Sequence, residues 1–202
     1  MENELKEIIK KICCIYNEFY DQGHLEINLK KCRCDKIYIN DKLETKFKKN
    51  LDRYLDNLSL IYDKIYITCL EHEHIFEGLR KKHYDSILNK LIKNSNEKIV
   101  VLKILNDLLG IRFCLENLYQ YEEGLKTYCE TNGHKILKRE IIRGDNIYRA
   151  LHVYIKGKDN YIFNIEIQFW DKNDKEKNFK SHEVYKQKYI EAPSHYKGGE
   201  HI

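Results

Sequence analysis

The sequence predicts an α+β fold in which one mixed β-sheet of four to five strands is flanked by helices. Three observations carry this expectation. Apolar residues recur at helical spacing through the first half of the chain. The period then changes to two, in short runs bounded by polar turns. A single proline, Pro193, leaves nearly the whole chain free for regular structure.

Taken in order, Leu5, Ile8, Ile9, Ile12, Ile15 and Tyr16 place an amphipathic helix over residues 3–20. Residues 25–40 are ambiguous, because "HLEINL" and "DKIYIN" alternate and suit short strands or extended connections equally. A second helical stretch runs from about Asp41 to Leu70, with a break near Leu58, and a third covers residues 77–93. "LLGIRFCL" then reads as a strand and "LYQYEEGLKTYCE" as a helix ended by Asn132-Gly133. "KILKREII", "YRALHVYI" and "NYIFNIEIQFW" are strands, the last two joined through the polar loop Gly157-Lys158-Asp159-Asn160. A charged helix occupies residues 172–190. The expected organisation is a helical segment (1–75) packed on a core (76–190), followed by a tail (191–202).

With 42 % hydrophobic and 34 % charged residues, the 202-residue chain is globular and heavily charged at its surface. Its net charge of +4 suits anionic ligands without requiring nucleic acid. No apolar run has the length of a membrane span, and "MENELKEIIKK" lacks the features of a signal peptide, so a cytoplasmic chain without a membrane partner is expected. Seven cysteines, an odd number scattered through apolar segments, fit reduced thiols. Cys32, Cys34 and Cys69 with His72 and His74 match no standard zinc spacing. Buried thiols and surface histidines are expected there.

The strand at 161–170 poses the functional question. Tyr161, Phe163, Ile165, Ile167 and Phe169 share one face, while Asn164, Glu166, Gln168 and Trp170 share the other. In the preceding strand Leu151, Val153 and Ile155 oppose Tyr148, Ala150, His152, Tyr154 and Lys156. If the apolar faces coincide, the other sheet face gathers Glu166, Gln168, His152 and Tyr148. That face either is solvated, as is common in antiparallel sheets, or lines a cleft.

Five motifs in order carry a resemblance. They are "LRKKHYDSILNKL" with Arg80, Lys82, Ser86 and Lys90; "DLLGIR" with Asp107, Gly110 and Arg112; "NIYRALH" with Asn146, Tyr148 and His152; "EIQ" with Glu166 and Gln168; and "SHEVYK" with His182, Tyr185 and Lys186. Together, over about residues 76–188, they resemble the synthetase domain of the RelA/SpoT family, the (p)ppGpp synthetases. Without the long members' hydrolase half or its His-Asp signature, the chain is most similar to a small synthetase-only member, a small alarmone synthetase. The resemblance implies a nucleotidyltransferase-like synthetase fold and a Mg²⁺-dependent pyrophosphokinase that moves a pyrophosphoryl group from ATP to the ribose 3′-hydroxyl of GDP or GTP.

The resemblance also implies roles. Arg80, Lys82, Ser86, Lys90 and Arg112 would bind ATP. Lys82, Ser86 and Lys90, at i, i+4 and i+8, would form one helical stripe. Asp107 and Glu166 would hold the metal and act in catalysis, with Gln168 bracing Glu166. Tyr148 would stack on the acceptor base. Asn146, Arg149, His152, Arg143, His182 and Lys186 would complete the acceptor site.

The chain departs from the family pattern in three places. Ile147 stands for a glycine, Gly144 for a lysine, and Phe169-Trp170 for Ile-Arg. The lost cations grip the acceptor's 5′-phosphates. The altered acceptor side keeps a second reading open, a toxic relative that makes (p)ppApp or modifies the 3′-terminal adenosine of tRNA. Further candidate partners are therefore tRNA, an antitoxin protein and a second copy of the chain. A non-catalytic nucleotide-binding module is the third reading.

Overall fold

The apolar stripe at the N-terminus sets the first layer. In the computed structural model Leu5, Ile8, Ile9, Ile12 and Tyr16 are buried along α1 (Glu2–Glu18), each worth about 1.5–3 kcal/mol of apolar transfer. The structure describes residues 1–39, 42–143 and 146–190; the side chains of residues 39, 143, 146 and 185–190 and the tail expected at 191–202 lie outside the described residues. After α1 come α2 (Tyr20–Gly23), α3 (Cys34–Ile37) and a small antiparallel pair, β1 (Tyr38–Ile39) and β2 (Lys42–Leu43). The second helical stretch is broken where expected, into α4 (Thr45–Asn57) and α5 (Ser59–Leu70), with Leu58 buried at the joint.

The main sheet is built from β3 (Phe76–Lys81), β4 (Leu109–Leu115), β5 (Lys135–Arg143), β6 (Asn146–Ile155) and β7 (Ile165–Asp171), with α6 (Tyr84–Lys93), α7 (Val101–Ile104) and α8 (Glu122–Thr131) between them and α9 (Lys175–Ile190) last. The order across it is β3-β4-β7-β6-β5. The central pair β4–β7 is parallel and the other pairs are antiparallel, giving the mixed sheet and α+β class that the change of period predicts. Gly133, at φ 72°, follows α8 and supplies the left-handed residue that ends it.

Two expectations need correction. Residues 77–81 belong to a strand, not to the start of the third helix, which begins at Tyr84. Gly78 lies at φ 155°, where the β3–β4 register shifts, a conformation reserved for glycine. Glycine inside a helix costs about 1 kcal/mol relative to alanine, and Gly78 was the signal against one. The last strand begins at Ile165, not near residue 160. The preceding stretch instead accepts backbone hydrogen bonds from another segment, Leu25 N–H to Tyr161 O and Leu29 N–H to Asn160 O (2.7 Å each).

One sheet face packs Ile111, Phe113, Leu151, Val153, Ile165, Ile167 and Phe169 against the N-terminal helices in a continuous core. A polar tie crosses it: Tyr16 donates to the carbonyl of Phe163 and lies 3.1 Å from the Tyr54 hydroxyl. Tyr16→Phe leaves that buried carbonyl without its donor. The expected cost is about 1–3 kcal/mol, read as a lower urea midpoint with unchanged m-value; an unchanged midpoint would remove this tie from the account.

Candidate active site

The other face of the sheet carries the polar residues. Ladder register places Gly110 beside Glu166, Arg112 beside Gln168, and Gln168 beside His152. Arg80 pairs with Gly110 on the opposite side, so Arg80, Arg112, Glu166, Gln168 and His152 share one face. Gly110 adds no side chain to this row, and the space a Cβ would occupy has nothing within 4 Å. The glycine therefore leaves an opening between Arg80 and Glu166.

Glu166 is 6 % exposed and both its oxygens are held. His152 Nδ1 lies 2.8 Å from one, and Gln168 donates to the other at 2.7 Å. Burial opposes its charge, but the hydrogen bond and charge of His152, then Gln168 and Tyr154, outweigh it and hold the carboxyl well below the usual carboxylate range. His152 Nε2 lies 2.8 Å from the Tyr148 hydroxyl. Both ring nitrogens are thus engaged within the protein, so His152 orients Glu166 in this state rather than offering a nitrogen to an acceptor phosphate. Gln168 thereby holds one oxygen of Glu166 in place. Its carbonyl accepts from Arg112 at 3.3–3.4 Å, which fixes the amide's orientation.

A second group forms at the β3–β4 end. Lys82 and Lys90 reach separate oxygens of Asp107, at 2.5 and 3.0 Å. Lys82 is 8 % exposed. Desolvation lowers its pKa to about 8, although Asp107 pulls the other way. The single helical stripe is corrected here: Lys82 precedes α6, while Lys90 and the exposed Ser86 lie on it. The two lysines converge because the β3–α6 turn brings Lys82 back toward the helix, its N–H bonded to Leu108 O. Arg80 lies on β3 and is exposed.

Aromatic residues cover the far part of the face. Trp170, fully buried, lies 3.7 Å from the Arg112 guanidinium and stacks on His182 of α9 (5.6 Å, 17°). Phe179 meets its ring edge-on. Tyr148 is 2 % exposed, with its ring edge-to-face against Trp170 and His182. Arg149 runs alongside, and Asn178 closes α9 onto it. The Asn178 amide accepts from Arg149 N–H (2.8 Å) and donates to Arg149 O (2.7 Å), completing the ladder beyond the last β6–β7 pair. Reading the sequence missed Asn178 and Phe179, since one amide and one aromatic on a charged helix carry no motif. The side chains of Arg143, Asn146, Tyr185 and Lys186 lie outside the described residues. Of two surface hollows, one of about 360 Å³ lies between α1 and α5, and one of about 460 Å³ lies beside Asp171, where Arg149 lines it.

The residues fit a Mg²⁺ ion in donor chemistry. Carboxylate oxygens such as those of Asp107 and Glu166 are hard ligands, and Mg²⁺ takes one or two such groups and completes its shell with phosphates and water. The opening at Gly110 leaves space for such oxygens beside Glu166. The two carboxylates have separate partners here, Lys82 and Lys90 for Asp107, His152 and Gln168 for Glu166. Among the described residues no group of three or more His, Cys, Asp or Glu is disposed to hold a metal. His72, expected at the surface, is buried and pairs with Glu4 at 2.8 Å. No described helix is long and apolar enough to cross a membrane.

Among solved structures, the chain is similar to small alarmone synthetase 2 from Bacillus subtilis (19 % identity, 73 % of this chain and 84 % of that one, TM-score 0.41). It is also similar to a GTP pyrophosphokinase family protein from Streptococcus pneumoniae (15 %, 75 % and 82 %, 0.43). A third similar structure is small alarmone synthetase 1 from Bacillus subtilis bound to its product pppGpp (17 %, 74 % and 84 %, 0.43). No curated protein sequence matches the chain. The family model described as "Region found in RelA / SpoT proteins" matches residues 79–190, which is more than half of the chain and spans all five motifs. The chain belongs to the RelA/SpoT family, a family of pyrophosphokinases.

Proposed function

We propose that this protein transfers the β,γ-pyrophosphoryl group of ATP to a ribose 3′-hydroxyl, with GDP or GTP as the leading acceptor. The observation that carries this reading is Glu166, buried with His152 and Gln168 on its two oxygens, across the opening at Gly110 from Arg80. The 3′-oxygen attacks the β-phosphorus, the bond from that phosphorus to the α–β bridging oxygen breaks, and AMP leaves. Glu166 accepts a hydrogen bond from the 3′-hydroxyl and takes its proton as the new P–O bond forms. Arg80, Lys82, Ser86 and Lys90 grip the triphosphate, while Arg112, fixed by Gln168 and Trp170, adds a stationary charge beside them. Mg²⁺, held by Asp107 and Glu166, would neutralise charge on the phosphates. Arg149, with Asn146, Arg143 and Lys186, would contact the acceptor, while Tyr148, His152 and His182, whose rings pack within the protein, would back that side.

Trp170 favours a second reading, transfer to the 3′-terminal adenosine of tRNA or to an adenosine nucleotide. Where the family pattern has arginine, this chain buries an indole against Arg112, so a cation that would grip 5′-phosphates is replaced. Incubation with γ-labelled ATP and, separately, GDP, GTP, ADP, ATP and deacylated tRNA decides between them by which acceptor becomes labelled. ATP binding without label on any acceptor would instead support a binding module. In the same assay, the Lys82→Ala/Lys90→Ala double variant is expected to raise the KM for ATP at least tenfold while leaving the acceptor KM near wild type. Equal rises would remove the pair from the donor site.

A further inference from the structure

Asp107 is fully engaged before any substrate arrives. Lys82 takes one of its oxygens and Lys90 the other, and Lys90 also donates to Ile104 O at 3.3 Å. The carboxylate is only 14 % exposed and Lys82 is buried, so water does little to screen the group. The same two ammonium groups are those a triphosphate requires. A bare triphosphate that recruits them strips Asp107 of its counter-ions and leaves a carboxylate facing phosphate oxygens. A triphosphate that arrives with a divalent cation brings a new partner for each side of the cluster.

We propose that Asp107 is a selectivity element: it bars the metal-free triphosphate by holding Lys82 and Lys90, and releases them only when a divalent cation takes their place on its carboxylate. The inference rests on the assignment of this cluster to the ATP site. It adds that the ion pairs of the free protein set which form of the nucleotide enters.

Calorimetric titration with α,β-methylene-ATP, in Mg²⁺ or in EDTA, tests it without turnover. Wild type is expected to bind the Mg²⁺ form at least tenfold more tightly than the metal-free form. Asp107→Asn is expected to bind the metal-free form at least tenfold more tightly than wild type does, so that the preference collapses. Asp85→Asn, which removes a carboxylate 80 % exposed on α6, controls for long-range charge and should stay within twofold. A metal-free affinity unchanged or weakened in Asp107→Asn overturns the proposal, as does an equal gain in Asp85→Asn. If Asp107→Asn does not fold, Lys90→Met carries the test. With one counter-ion left on Asp107, metal-free binding should fall further than Mg²⁺-form binding, and equal losses overturn the proposal. Wild type binding both forms equally defeats this inference alone; wild type binding neither defeats the ATP assignment as well.

Discussion

Glu166→Gln is expected to slow pyrophosphoryl transfer by about 10²–10⁴-fold, the range over which a positioned acid–base group contributes, while the protein remains folded. The substitution keeps the side chain's shape and removes its charge, so a metal ligand and a proton acceptor are lost together. It also frustrates a local network. Gln168 donates to Glu166 and accepts from Arg112, so a second amide at 166 can present its NH₂ where an acceptor is needed. Turning Gln168 around to suit it would break the Arg112 contact. A stability loss of about 1–2 kcal/mol is expected from the missing charge-assisted bonds. Initial rates of AMP release, with a melting curve on the same sample, check both parts. A rate within a few-fold of wild type would remove Glu166 from the chemistry.

Trp170→Ala is expected to produce the largest stability loss, about 3–5 kcal/mol. The indole is fully buried and supports both the Arg112 guanidinium and the His182 ring. Deleting it opens a cavity beneath α9 and removes the surface on which Arg112 rests. Trp170→Phe keeps a ring for stacking and should cost much less. Urea unfolding of the two variants measures the difference; a loss below about 1 kcal/mol in Trp170→Ala would mean that α9 is not seated on this ring.

What could be read from the sequence follows from what parity and spacing encode. Alternation separated Ile165, Ile167 and Phe169 from Glu166 and Gln168, because each successive side chain in a strand must change faces. It could not say which strand lies beside which. That Arg112 stands next to Gln168 depends on a β4–β7 pairing between segments 56 residues apart, whereas Gln168 lies next to His152 through the β6–β7 pairing that the polar loop between those strands suggests. The helical stripe of Lys82, Ser86 and Lys90 was drawn from spacing alone, and Gly78 carried the contrary signal. Lys82 and Lys90 meet at Asp107 because a turn, not a helix, joins them. Trp170 read as a missing cation. Its positive role, a platform between Arg112 and α9, is a property of three elements at once and no local pattern announces it.

The tie between Tyr16 and Phe163 has a consequence for synthesis on the ribosome. The two partners are 147 residues apart, and at about 5–20 residues per second the second is made roughly 7–30 s after the first. For that interval α1 has left the exit tunnel with Leu5, Ile8, Ile9 and Ile12 uncovered by the sheet that later buries them. The β5–β6 hairpin, by contrast, pairs residues no more than 19 apart, and closes almost as soon as it emerges. The nascent chain therefore holds α1 in reserve while the β5–β6 hairpin closes, so a holdase that shields apolar helices matters most to α1.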